Sequence, residues 1–344
     1  MSVGQSRWGR KLRYLGAAAA LGLAMPAAAS YVETPEGRAF VDDMVQRYAF
    51  DRSTLERWLG LAQQQPAILD AISRPAERTL TWAEYRRIFI KPSRIEKGRA
   101  FLDQYADIFA RAERELGVSR YVVAAIIGVE TQYGEYAGRY RVVDALATLA
   151  FDYPPRSSFF RGQLGEFFLM AREQALDPAV IKGSYAGAMG YGQFIPSSYR
   201  HYAIDFDGDG QADIIQNPVD AIGSVANYFA RHGWRDAEAV AEQVTTADYA
   251  PRLYTDGLKP RLTIADYRAA GIEPQAELAA ATRARLLRVE AEAGQQDWLT
   301  YPNFYVITRY NHSHLYAMAV LELSRALAAD DGSVVDQAGT GGDA

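Results

Sequence analysis

The sequence predicts a mainly α-helical protein of the α+β kind, with a small strand-bearing insertion towards its C-terminus. Three observations carry this. Apolar residues recur at helical spacing through most of residues 35–236, capping residues stand where those runs begin, and only between about Ala237 and Tyr301 do short strand-like runs take over. The chain has 344 residues, of which 49% are hydrophobic and 23% charged, enough for two or three small domains and a globular composition.

Met1 to Ala29 reads as an export signal. Arg7, Arg10, Lys11 and Arg13 precede an apolar run from Leu15, and Ala27, Ala28 and Ala29 supply a small-residue cleavage site. Cleavage after Ala29 is expected; the run is short for a bilayer span, which leaves an uncleaved anchor as the lesser alternative, and no later segment reads as transmembrane. The chain has no cysteine, excluding disulfides, thiolate chemistry and a lipid-modified cysteine at the signal junction. Formal net charge is −5, and loss of the signal, with four positive and no negative charges, takes it to −9. Nucleic acid is not an expected partner for such a chain.

Residues 30–117 read as an N-terminal helical domain. Thr34-Pro35, a cap followed by proline at the first helical position, opens an amphipathic helix through Phe40, Val41, Met44, Val45 and Tyr48. Thr81-Trp82-Ala83-Glu84 and Ser93-Arg94-Ile95-Glu96 both have capping-box form. The second is expected to open one long helix with Phe101, Leu102, Tyr105, Ile108, Phe109, Ala112 and Leu116 on a face, stopped by Gly117.

Residues 118–236 read as the core that carries the chemistry. Ser119 is placed to cap a helix in which Val123, Ile126, Ile127 and Glu130 fall at i, i+3, i+4 and i+7, so that Glu130 continues the apolar stripe. Poor solvation there, and a helix end near Gly134 with its negative dipole, both raise the pKa expected of this carboxyl. A carboxylic acid still protonated near neutral pH is what a proton donor to a glycosidic oxygen must be. Taken alone, a glutamate near a helix end is more often solvated or hydrogen-bonded to a neighbour.

Further along, Ser158 is expected to open a helix with Phe160, Leu164, Phe167 and Phe168 on its core face, and Asp177-Pro178 another. Gly183 to Gln193 holds glycine at a density no regular element tolerates and reads as a tight loop, either a plain turn or a place where backbone approaches a ligand closely. Residues 205–220 form a calcium-type loop. Asp205, Asp207 and Asp209 alternate, Gly210 stands sixth, and Gln211 is at the position whose backbone carbonyl binds in such loops. Gln216 replaces the usual closing glutamate. Asp220 either closes a longer loop or, in a helix capped by Asn217, satisfies backbone amides. Any calcium here is expected to be structural. The helix that follows buries Ile222, Val225, Ala226 and Phe229 and ends near His232-Gly233.

Residues 237–303 read as a small β-containing insertion, with a short helix at Thr263 to Asp266 and strand-like runs at Ala284 to Val289 and, just past it, Phe304 to Thr308. Residues 304–329 return to the core, where Tyr310-Asn311 leads into a last helix through Leu315, Met318, Leu321 and Leu323. The tail 330–344, rich in Asp and Gly, is expected to be disordered.

Together, Gly128 to Gly134, Ser184 to Tyr199, the Asp205 loop and Asn217 to Trp234 resemble the lytic murein transglycosylase B family of exported bacterial peptidoglycan-cleaving enzymes. The resemblance is continuous from about Phe40 to Leu323. It implies a lysozyme-like helical core with an additional helical domain and the small β-containing insertion. It implies Glu130 as the single catalytic acid/base, no cofactor for the chemistry, and Ser184, Gln193, Tyr228, Tyr310, Asn311 and Tyr316 lining a glycan groove. Amide and hydroxyl groups suit sugar hydroxyls and N-acetyl groups, and tyrosines both stack and hydrogen-bond. Where the family pattern has two adjacent arginines, Pro155 here precedes Arg156, leaving one basic contact to substrate. A monomer acting on peptidoglycan strands in the periplasm is expected, holding that acidic polymer by local contacts.

Most glycosidases use two carboxylates, and no second one is evident. Asp144 fits a helix cap and Asp152 the turn before Pro154. The resemblance implies that Glu130 protonates the oxygen joining N-acetylmuramic acid to N-acetylglucosamine, and that the muramoyl C6 hydroxyl then closes a 1,6-anhydro ring. A hydrolytic muramidase on the same scaffold, a non-catalytic peptidoglycan-binding protein, and an exported calcium-binding protein are the competing readings.

Overall fold

A computed structural model describes residues 30–73, 80–246 and 251–329. The expected export signal and the tail from 330 lie outside the described residues. The helices are α1 Pro35–Tyr48, α2 Arg52–Gly60, α3 Pro66–Ile72, α4 Trp82–Phe89, α5 Pro92–Gln104, α6 Ala106–Leu116, α7 Arg120–Thr131, α8 Val142–Asp152, α9 Ser157–Glu173, α10 Pro196–Tyr202, α11 Pro218–Arg231, α12 Ile264–Ala269, α13 Pro302–Tyr310 and α14 His314–Ala328. The strands are β1 Tyr140–Arg141, β2 Lys182–Gly183, β3 Ala241–Val244, β4 Leu262–Thr263, β5 Arg283–Ala291 and β6 Gly294–Thr300. The protein is mainly helical with two small antiparallel sheets.

Helix α7 is the axis of the packing. Every residue from Val122 to Val129 is buried, and a helix apolar on all sides belongs inside a protein. Its Val and Ile side chains each contribute about 1.5–3 kcal/mol by leaving water. Helices α5, α6, α11 and α14 pack around it, while α8 lies along α9. One apolar core runs from Tyr31 to Leu327 and includes Leu55, Trp82 and Phe101 of the N-terminal helices. Those helices are also strapped to α8. Asp144 accepts the Gln63 N–H at 2.9 Å, Thr148 accepts that of Gln65 at 3.0 Å, and Arg141 donates to the Leu61 carbonyl at 3.0 Å.

The insertion holds a four-stranded antiparallel sheet in the order β3-β6-β5-β4. Its β5–β6 hairpin aligns Arg288 with Asp297, which pair across the strands at 2.6 Å. One face feeds Leu287, Val289 and Trp298 to the main core; the other, with Leu286 and Leu299, closes a second small cluster on Tyr267 of α12.

Caps at Thr34, Thr81, Asn217 and Thr263 form as expected, each side chain accepting a backbone N–H two or three residues on. Several expectations need correction. Phe304 to Thr308 is helical, not a strand: Pro302 at the first helical position starts α13, and burial of Phe304, Val306 and Ile307 in the core overrides β-branched preference. The long helix of residues 93–116 is broken at Tyr105 (φ −116°, ψ 30°) into α5 and α6, and α5 starts at Pro92 rather than being capped by Ser93. Asp177-Pro178 forms only a turn, in which Asp177 accepts the Ala179 N–H. Ser119 precedes α7 without a side-chain bond; Glu113 takes the Arg120 N–H instead, at 3.1 Å. Asp144 sits inside the first turn of α8 and serves Gln63 and Arg141, not its own helix.

Candidate active site

Glu130 lies in the last turn of α7, partly buried, with Val123, Ile126 and Ile127 of the same stripe wholly buried. The helix ends at Thr131, and Gln132 (φ 52°), Tyr133 (φ 62°) and Gly134 (φ 92°) then run left-handed in succession. The cap is therefore Gln132, two residues earlier than the glycine the sequence suggested. Two non-glycine residues in this region cost on the order of 1–2 kcal/mol each. Close packing holds them there. The Tyr133 ring fills a slot between α5 and α7 where a Cβ on Gly98 or Gly128 would come within 2.2 or 2.6 Å of its hydroxyl oxygen.

Tyr316, on the first turn of α14, donates its hydroxyl to Glu130 Oε1 at 2.6 Å. The Tyr310 ring stacks parallel to it, with centroids 6.4 Å apart and planes 8° from parallel. Burial first, then the Glu130 carboxylate, holds both phenols well above the usual 10, so each is a neutral O–H donor. Tyr310 donates to the Gly192 carbonyl at 2.5 Å, reaching the glycine-rich loop. That loop returns to α7 through Thr131, whose Oγ1 lies 2.9 Å from the Tyr191 carbonyl it donates to and accepts the Gly134 N–H at 3.0 Å. Helix end, loop and the two tyrosines thus form one closed ring of contacts around Glu130.

Other expected groove residues join this ring to different degrees. Gln193, also left-handed (φ 50°), donates Nε2 to the Ala137 and Gly190 carbonyls at 3.0 Å each, joining the glycine loop to the segment after α7. Ser184 Oγ accepts the Ala186 and Ala188 N–H groups at 3.2 and 3.1 Å, shaping the loop while its own proton stays a donor. Tyr228 packs edge-on to Tyr310 at 4.7 Å and donates to the Arg309 carbonyl at 2.6 Å, so its hydroxyl is spent on backbone. Asn311, partly buried, directly follows α13. Arg156 stands apart: it is exposed, with its guanidinium over Phe159 at 4.3 Å and Phe160 at 5.2 Å. Cavities of about 570 Å³, lined by Gln63, Gln64 and Asp152, and about 510 Å³, lined by Met44, Arg161 and Glu166, lie among other residues than those around Glu130.

In the acidic loop, Asp205, Asp207 and Asp209 each offer a carboxylate oxygen within 4.8 Å of the others, and all three are exposed. Asp205 accepts the Gly208, Asp209 and Gly210 N–H groups, and those bonds, Gly210 first, hold its carboxyl below the usual 3.8. Three carboxyl oxygens on a tight turn with Gly208 and Gly210 left-handed suit a hard cation. Asp220 is outside that trio. It is fully buried and accepts the Phe206 and Asp213 N–H groups at 2.7 and 2.8 Å, bracing the loop. Gln211 is exposed.

The family model described as Transglycosylase SLT domain matches residues 33–325. The membrane-bound lytic murein transglycosylase B of Escherichia coli (strain K12) is 45% identical over 307 residues, 87% of this chain and 84% of its own. The chain belongs to the lytic murein transglycosylase B family. It is a lytic transglycosylase of peptidoglycan. Among solved structures, the lytic transglycosylase SltB1 of Pseudomonas aeruginosa has a TM-score of 0.84 at 47% identity, covering 87% of this chain and 99% of that one. Escherichia coli Slt35 in complex with calcium has 0.80 at 45%, covering 87% and 94%. SltB3 of Pseudomonas aeruginosa in complex with NAG-anhNAM-pentapeptide has 0.75 at 30%, covering 85% and 78%.

Sequence reasoning missed three residues that bear on the surroundings of Glu130. Thr131 was legible as a hydroxyl at a helix end, but its partner Tyr191 is 60 residues away. Tyr133 lies within the Gly128 to Gly134 motif, yet its slot depends on glycines in two helices. Tyr85, buried in α4, acts electrostatically on Tyr316 and carried no signal at all.

Proposed function

We propose that Glu130 is the single acid/base of this transglycosylase and that it leaves 1,6-anhydromuramoyl ends. The observation that carries this is the Tyr316 hydroxyl on Glu130 Oε1, in a site where the two sequence neighbours able to act as a second carboxylate are committed elsewhere. Asp144 pairs with Arg141 at 2.8 Å, and Asp152 accepts the Tyr31 hydroxyl. A single acid suffices when the nucleophile belongs to the substrate.

In the first step the Glu130 proton passes to the oxygen of the β-1,4 bond between N-acetylmuramic acid and N-acetylglucosamine as that bond breaks. The substrate's own N-acetyl oxygen stabilises the positive charge left on the anomeric carbon. Glu130, now a carboxylate facing the Tyr316 O–H, takes the proton from the muramoyl C6 hydroxyl, whose oxygen bonds to the anomeric carbon. Being intramolecular, that attack outruns water; effective molarities on the order of 10⁵ M are reached in well-oriented cases. Ser184, Gln193, Tyr228, Tyr310, Asn311 and Tyr316 shape and line the glycan groove, with the exposed Arg156 as a basic contact to substrate.

Calcium fits Asp205, Asp207 and Asp209, with the Gln211 carbonyl, and would brace the loop ahead of α11 without entering the chemistry; Asp220, whose carboxylate holds the loop's backbone amides, is either its closing ligand or a brace. The complexes of Slt35 with calcium and of SltB3 with a muropeptide support these assignments. The membrane-bound relative supports a cell-envelope location, and the signal-like segment before Ser30 supports the periplasm. Among the described residues no helix is long and apolar enough to cross a membrane.

Digestion of peptidoglycan sacculi, read by mass spectrometry, tests the assignment. Muropeptides lighter by one water than hydrolytic products, and lost with Glu130→Gln, are expected. Reducing-end products would instead make the enzyme a hydrolase.

A further inference from the structure

The segment that follows Glu130's helix carries an exposed aromatic ring and a cation that the bond-cleaving assignment leaves unused. Tyr136 is 69% exposed, although its backbone N–H donates to the Thr131 carbonyl at 3.0 Å, one residue from Glu130. This lip is rigid. Gln193 pins the Ala137 carbonyl, and Gly138 (φ 108°) lies so near Gly183 that a Cβ would meet that residue's carbonyl carbon at 2.0 Å. Tyr140 then pairs with Gly183, the neighbour of Ser184, in the β1–β2 ladder. The lip therefore borders the glycine loop on one side and the Glu130 helix end on the other.

Charge on the lip is positive. The Arg139 guanidinium lies over the Tyr140 ring at 5.1 Å and donates to its hydroxyl oxygen at 3.0 Å. Among the described residues no carboxylate pairs with it. Glu135, the lip's own carboxylate, is taken by Lys97 at 2.5 Å and by Gln132 at 2.8 Å. On a chain of formal net charge −5, a cation held on the Tyr140 ring and an exposed aromatic ring three residues before it on the same lip suit a ligand that is both sugar and acid.

We propose that Tyr136 and Arg139 form a saccharide subsite beside Glu130, the ring stacking on a pyranose face and the guanidinium holding a carboxylate borne by a muramoyl residue. The proposal rests on the reading of Glu130 as the bond-cleaving acid. It supplies a basic contact in addition to Arg156. A preformed lip loses little freedom on binding, which favours recognition through few groups.

The test is calorimetric binding in the Glu130→Gln protein, using three ligands: a chitin oligosaccharide without carboxylates, a peptide-free glycan strand with lactyl carboxylates, and a peptide-bearing strand. Tyr136→Ala is expected to weaken all three by about three- to tenfold, and Tyr136→Trp to retain affinity. Arg139→Gln is expected to weaken only the carboxylate-bearing ligands, by about tenfold, and the ligand that loses more tells whether the lactyl or the peptide carboxylate is held. Both substitutions leaving affinity within about twofold, or Arg139→Gln weakening chitin binding equally, would overturn the subsite. Failure of the Glu130 reading shows itself separately, as turnover by Glu130→Gln alone.

Discussion

The Tyr316 hydroxyl donates to Glu130 Oε1 across 2.6 Å, joining the last turn of α7 to the first turn of α14. Because burial, with the Glu130 carboxylate beside it, holds this phenol well above its usual 10, it is a neutral donor near neutral pH and orients the carboxyl it bonds. A hydrogen bond to a charged group is worth about 1.5–3 kcal/mol. Tyr316→Phe keeps the ring and loses the donor. Steady-state kinetics on glycan strands should show kcat reduced by roughly ten- to a hundredfold with KM little changed. A change confined to KM would make Tyr316 a substrate contact only.

Thr131 ties the Glu130 helix end to the glycine loop through the Tyr191 carbonyl and the Gly134 N–H. Thr131→Val preserves shape but leaves those buried groups unmatched, at about 1–3 kcal/mol. Thermal unfolding should fall by several degrees, and Thr131→Ser should recover most of the loss. Equal melting of the Val and Ser variants would remove the hydroxyl from the argument.

Caps and cap-like turns were legible because they depend on three or four adjacent residues, as at Thr34, Thr81, Asn217 and Thr263. Glu130 was legible for the same reason, its stripe being local to one helix. What failed was decided at a distance. Val306 and Ile307 are helical because the core receives them on α13, and Asp144 is held by a loop 81 residues earlier. Motif resemblance points to Tyr310 and Tyr316, but their mutual stacking and their hold on Gly192 and Glu130 come from tertiary packing.

Calcium should stabilise the fold through Asp205, Asp207 and Asp209. At about a hundred times its dissociation constant a ligand adds about 2.7 kcal/mol. Tm should therefore rise by several degrees on calcium addition and return on chelation. Asp207→Asn should abolish the response. A calcium response that survives this substitution would move the ion elsewhere.

Acid should weaken the protein before its carboxylates titrate. Burial holds His232 and His314 below 6.5, so between that value and their lower folded values the unfolded chain binds more protons than the native one. Stability then falls as pH drops below about 6.5, and this contribution levels off once the folded histidines are charged as well. His232 stacks on Tyr228 with ring centroids 4.0 Å apart, so His232→Phe should keep the packing and flatten the decline in Tm between about pH 7 and 5. An unaltered slope would place the sensitivity elsewhere.

Glu130 and the Tyr316 phenol bonded to it are 186 residues apart in sequence. On a chain made from its N-terminus, Glu130 is synthesised long before Tyr316, and α7 must wait for α14 before its carboxyl finds its partner. Closing so long a loop is among the slower events of folding. On the proposal that Glu130 is the acid, a chain still being made is thus built without the power to cut glycan, and that power arises only when the last helix docks.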